Sequence, residues 1–138
     1  MIKVFLDSDV ILDFLLRREP FSLSAGAIFA RGERGDLSLY TSTLSFMNVL
    51  YIASAATNRS TAQSLAQQLR SMVNLLPVRE EHVDAALASE LKDTEDYVQY
   101  VAARDGKVDY LVTRNVDDYP PMPTFIMTSE VFLTTLPA

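Results

Sequence analysis

This sequence predicts an α/β domain with a mainly parallel central sheet flanked by helices, and three observations carry that expectation. Short apolar runs alternate with amphipathic helical segments along the chain, the pattern of strands joined by helical crossovers. The first run, Val4-Phe5-Leu6, ends abruptly in Asp7-Ser8-Asp9, which is how a buried strand delivers acids to a sheet edge. At 138 residues, 49% of them hydrophobic, the chain suits one core and is short for two, so residues 1–138 read as a single domain.

The elements follow in order. Residues 2–6 make the first strand and 9–16 the first helix, on which Asp9, Asp13 and Arg17 share a face; Asp13 is expected to pair with Arg17 one turn on. Ser22 is placed to cap a second helix carrying Ala25, Ile28 and Phe29, with Gly32 and Gly35 as its breakers. Residues 37–41 read as the second strand. Ser42 then caps a helix whose Leu44, Met47, Tyr51 and Ala55 fall on one stripe, and Asn48 lies in that stripe. From Ser60 an amphipathic helix carries Leu65, Leu69, Met72 and Val73, followed by a strand at 75–78 and a helix at 80–90. Asp93 looks like an N-cap with Glu95 and Asp96 in the first turn behind it, where acids favour the helix dipole. Residues 110–112 form the next strand, Pro120, Pro121 and Pro123 mark a loop, 124–127 is the last strand and 129–133 a terminal helix.

Composition removes whole classes of chemistry. With no cysteine and one histidine, His82, the chain has no disulfide, no thiolate zinc site, no cysteine nucleophile and no site needing two imidazoles. His82 follows Glu80-Glu81 and is expected on the surface. No apolar run approaches the roughly 20 residues of a membrane span, and the chain starts in a strand rather than a signal peptide, so a cytoplasmic setting without a membrane is expected. The net charge of −6 argues only weakly against nucleic acid, because acids gathered around a divalent cation become a locally positive site. Seven arginines, at 17, 18, 31, 34, 59, 104 and 114, remain to meet phosphate.

Hard-metal carboxylate chemistry survives that cull. Asp7 after the first strand, Asp96 in the first turn of a helix, and Asp117 or Asp118 after a later strand each leave a strand exit or a helix start. Magnesium takes oxygen ligands from a few carboxylates and from substrate phosphate, and a pair of such ions can clamp both oxygens of an in-line phosphoryl displacement.

The strings Phe5-Leu6-Asp7-Ser8-Asp9-Val10-Ile11-Leu12-Asp13, Glu95-Asp96-Tyr97-Val98-Gln99-Tyr100-Val101-Ala102-Ala103 and Leu111-Val112-Thr113-Arg114-Asn115-Val116-Asp117-Asp118-Tyr119 stand in the order and spacing of PIN domains, which include VapC-type toxins. The chain resembles that family over essentially its whole length. The resemblance implies a Rossmann-like PIN fold and a Mg²⁺- or Mn²⁺-dependent ribonuclease acting on single-stranded RNA. It implies Asp7, Asp96 and Asp118 as metal-binding acids, with Thr113 and Asn115 in support and Asp117 as the solvated member of its pair. It also implies an antitoxin protein as partner and a homodimer, for which the helices near 44–55 and 65–73 offer apolar surface. One position departs from the pattern: Asn48 stands where many PIN domains carry a glutamate, which predicts weaker binding of one cation. Asp9, where the family often has asparagine, is a candidate to restore that charge.

Two other readings compete. A degenerate PIN fold that binds RNA or protein without cutting is favoured by Asn48 alone. A haloacid-dehalogenase-like phosphatase would use Asp7 as nucleophile and Asp9 as acid/base, yet it needs a Gly-Thr-Leu after the motif where this chain has Val10-Ile11-Leu12, and a later Gly-Asp pair that is absent near Asp117-Asp118. Tyr97, Tyr100, Tyr119 and Phe125 offer stacking faces for bases, with core packing the favoured use.

Overall fold

Val4, Phe5 and Leu6 have no exposed surface, and a strand buried on both faces belongs at the centre of a parallel sheet. In the computed structural model, which describes residues 1–90, 93–120 and 125–137, that strand is β1 (Ile2–Leu6). It lies between β2 (Leu37–Ser42) and β4 (Tyr110–Val112), with β3 (Asn74–Leu76) and β5 (Ile126–Met127) outside them. All four pairings are parallel, in the order β3-β2-β1-β4-β5. The chain therefore leaves β1 for one side and later returns to the other, which opens a crevice beyond the carboxyl ends of β1 and β4.

The helices are α1 (Ser8–Leu15), α2 (Ser22–Glu33), α3 (Thr43–Ala56), α4 (Arg59–Met72), α5 (Glu80–Ala88), α6 (Thr94–Asp105) and α7 (Ser129–Thr134), with a 3-10 turn at Val116–Asp118. Alternation along β1 divides them between two cores. Val4 and Leu6 face one layer with Ile11, Ile28, Val49, Leu69 and Phe132, whereas Phe5 faces the other with Tyr100, Val101, Leu111 and Tyr119. Because α6 leads back into β4, its first turn must sit at the carboxyl edge of the sheet, and Asp93 caps it there by accepting from the Asp96 N–H at 3.1 Å.

Several local expectations need correction. The second helix begins after Phe21, with no side-chain cap; Ser22 Oγ instead donates to Glu19 Oε1 at 2.6 Å. Gly32 does not break that helix but lies inside it, where an added Cβ would come within 2.7 Å of Leu39 Cδ1. On α3 the core face is Ser45, Val49 and Ala53, and the Met47–Tyr51 stripe points outward, in keeping with the apolar surface expected on residues 44–55. On α4, Leu69 and Val73 are buried, which removes them from any self-association surface. The strand expected at 75–78 is Asn74–Leu76, and of the strand expected at 124–127 residue 124 lies outside the described residues.

His82 is the clearest reversal: it is 4% exposed, its Nδ1 accepts from the Arg79 N–H at 2.9 Å, and its Nε2 reaches Asp105 Oδ2 at 2.8 Å. It caps α5 and fastens it to α6. Asp13 is likewise not an exposed partner of Arg17. It is 1% exposed and takes Arg18 Nε at 3.0 Å and Arg114 Nε at 3.1 Å, while the Arg114 guanidinium lies 4.1 Å from the Phe21 ring centre. One buried carboxylate thus ties α1 to the chain leaving it and to the loop after β4. Asp13→Ala strands two arginines beside an apolar layer, and we expect it to cost about 3 kcal/mol in urea unfolding; a loss under about 0.5 kcal/mol would mean the network is solvated and weak.

Candidate active site

Asp7 is the first residue beyond β1, and its backbone N–H still bonds to the Val112 carbonyl at 3.0 Å, extending the β1–β4 ladder to the lip of the crevice. Its side chain is only 7% exposed and collects three donors: Ser8 N at 2.7 Å, Thr113 Oγ1 at 2.9 Å and Tyr119 Oη at 2.8 Å. The backbone of Asn115 donates in turn to Thr113 Oγ1 at 3.1 Å, and Asn115 Nδ2 donates to Asp9 Oδ2 at 2.9 Å. Asp7, Thr113, Asn115 and Asp9 therefore form one connected polar ring spanning the exits of β1 and β4. These four sequence-predicted residues meet.

Asp96, half-buried in the first turn of α6, faces that ring from the other helix layer. Its carboxyl is pushed up to about 8, first by burial and then by the charges of Asp7, Asp93 and Asp118. Asp9 is pushed up to about 7 by burial and by Asp7, against the lowering influence of Arg114. Asp117 and Asp118 are both exposed in the 3-10 turn, and Asp118 is the member whose charge reaches Asp96. Asn48 comes to the rim of the crevice, where its Nδ2 donates to Glu95 Oε1 at 2.8 Å.

Sequence reasoning missed four participants. Tyr119 is 4% exposed and grips Asp7, so it is no platform for a base; burial first, then Asp7 and Asp96, holds its phenol protonated well above the ordinary value. Glu95 was hidden by its neighbour Asp96, although its first-turn position was visible. Asp13 with Arg114 braces the loop whose backbone N–H at 114 donates to Asp9 Oδ2 at 3.3 Å.

The donor set fits a hard divalent cation. The acids around the crevice, Asp7, Asp9 and Asp96, offer carboxylate oxygens, and the buried Asp9 Oδ1 has no hydrogen-bond partner. Among the described residues no three acidic or imidazole side chains are drawn into one ligand cluster.

The PIN domain family profile matches residues 3–117 of the chain. The chain belongs to the PIN domain family. Its fold is similar to a toxin–antitoxin complex from Klebsiella pneumoniae, at 18% identity and a TM-score of 0.67, covering 91% of this chain and 97% of that one. VapBC2 from Rickettsia felis, bound to a promoter DNA fragment, superposes at a TM-score of 0.66 and 12% identity, again over 91% of this PIN domain and 97% of its counterpart. Mycobacterium tuberculosis VapC20, a sarcin–ricin loop cleaving toxin, matches at 0.63 and 11% identity over 78% of this chain and 86% of that one. No curated protein sequence matches.

The crowding has a measurable consequence for the PIN domain without cations. Asp9 and Asp96 both hold protons more tightly when folded than at their ordinary value of 3.8, so the folded state binds the extra protons and stability falls as pH rises from about 4 towards 8. We expect the melting temperature to decline between about pH 5 and pH 8, and Asp96→Asn to flatten the slope. A melting temperature that climbs through this window would show that the carboxylates are relieved by partners rather than crowded.

Proposed function

We propose that this PIN domain is a metal-dependent endoribonuclease that hydrolyses phosphodiester bonds of single-stranded RNA, and that it is the toxin of a toxin–antitoxin pair. The observation that carries the reading is the meeting of Asp7, Asp9 and Asp96 at the sheet's switch point, where burial and then the charge of Asp7 raise the pKa values of Asp9 and Asp96. Asp7, Asp96 and Asp118 hold the cation, Mg²⁺ or Mn²⁺. When bound, the ion neutralises charge on the phosphate and acidifies water. Thr113 and Tyr119 fix the Asp7 carboxylate, and Asn115 holds Asp9 through Oδ2. That anchoring also argues against the phosphatase reading, which needs Asp9 as a free acid/base.

The shared fold of a sarcin–ricin loop cleaving toxin supports RNA as substrate, and the toxin–antitoxin complexes among the similar structures support an antitoxin polypeptide as partner. A second copy of the chain is the remaining expected partner. The outward face of α3, with Met47 57% and Tyr51 77% exposed and lining a groove of about 370 Å³ that runs to Arg59 and Gln63 of α4, is the surface proposed for it. Among the described residues no helix is long and apolar enough to cross a membrane.

The test is a cleavage assay on single-stranded RNA with Mn²⁺ or Mg²⁺. Wild type should release defined fragments, and Asp7→Asn should slow cleavage by about a thousand-fold. Asp96→Asn should lose activity while melting no lower than wild type, since it removes a repelled charge. Cleavage that survives EDTA, or an Asp7→Asn variant at the wild-type rate, contradicts the reading.

A further inference from the structure

Helices α3 and α6 are fastened by two side-chain rungs. Ser42 Oγ, at the start of α3, donates to Gln99 Oε1, and both residues are buried. Further out, Asn48 Nδ2 donates to Glu95 Oε1 at 2.8 Å. An amide that meets a carboxylate must present its N–H₂, so the orientation of Asn48 is fixed by charge. An acid at position 48 would instead face Glu95 with like charge and no proton between them.

We infer that Glu95 is the fourth carboxylate of the site, and that Asn48 is a positioning residue that fixes it from α3. The inference rests on the nuclease reading above. The negative group expected on α3 stands across the crevice on α6, one residue before Asp96. On this account the neutral side chain at 48 costs the site no charge. It takes Oε1 of Glu95 and leaves the second oxygen for a cation. Two observations outside the hydrogen bond agree: the charge of Asp7 bears on Glu95, which places it on the crevice side, and Asp9 Oδ1 is buried without a partner nearby in the ring. The rival account makes Glu95 an ordinary first-turn acid that favours the α6 dipole, with Asn48 as a helix-to-helix staple.

Calorimetric titration of Mn²⁺ into the whole chain separates the two. Wild type should bind, and Asp7→Asn should abolish or severely weaken binding. Glu95→Gln should bind about ten-fold more weakly, and Asn48→Ala should weaken binding in wild type but not further in the Glu95→Gln background. The decisive variant exchanges the pair: Asn48→Glu with Glu95→Gln returns one carboxylate and one amide to the same contact and should recover most of the lost affinity. Melting curves without metal confirm that each variant is folded. If Glu95→Gln binds like wild type while Asp7→Asn does not, Glu95 is structural and this inference fails with the metal reading intact. If the exchanged pair stays as weak as Glu95→Gln, the positioning role of residue 48 is overturned. A wild type that binds no Mn²⁺ overturns both readings.

Discussion

Repulsion among carboxylates at the carboxyl edge of the sheet is the constraint around which this protein is arranged. Asp7 is held beyond β1 by Thr113 and Tyr119, Asp9 by Asn115 and the backbone of Arg114, and Asp96 by the capped start of α6. None of these holds is optional for a chain that must keep like charges close without water to separate them. The scaffold supplies the stiffness: Val4, Phe5 and Leu6 of β1 are fully buried, and Asp13 locks α1 against the loop after β4. Burial first, and then the charge of Asp7, raises the pKa values of Asp9 and Asp96.

The same arrangement answers why an acidic chain can be read as acting on RNA. Most of the arginines that the sequence offers for phosphate are already engaged: Arg18 and Arg114 with Asp13, Arg31 and Arg34 with Asp36, Arg104 with Asp105. Among the described residues, Arg17 and Arg59 make no ion pair. On the proposed reading, attraction for a phosphodiester comes chiefly from a cation in the crevice, since an ion that neutralises several carboxylates inverts the local field. Net charge is a poor guide for such a site.

The sheet and most of the acids were legible because they obey local rules. A both-face apolar run followed by Asp7, and Asp93 capping a helix with acids in its first turn, are patterns that short stretches of chain determine by themselves. What escaped depends on contacts between distant residues. Glu95 and Asn48 meet across two helices, Tyr119 reaches Asp7 from the far end of the β4 loop, and His82 is buried because α6 covers it with Asp105. Helix α3 was legible in part: residues 44–55 were expected to offer apolar surface, and Met47 and Tyr51 do stand outside, while the buried face that carries the small polar Ser45 was not marked by hydrophobicity. Hydrophobic periodicity by itself reads apolar stripes as inward, so it gives no signal for a core face built on a small polar residue.

Anomalous diffraction from crystals grown with Mn²⁺ tests the central claim most directly, because it locates the ion without reference to activity. The account predicts a strong peak in the crevice between β1 and α6, within ligand distance of Asp7 and Asp96, with the Tyr119 and Thr113 hydroxyls still on Asp7. An ion found only elsewhere on the surface, with the crevice acids left unbridged at saturating Mn²⁺, would contradict it.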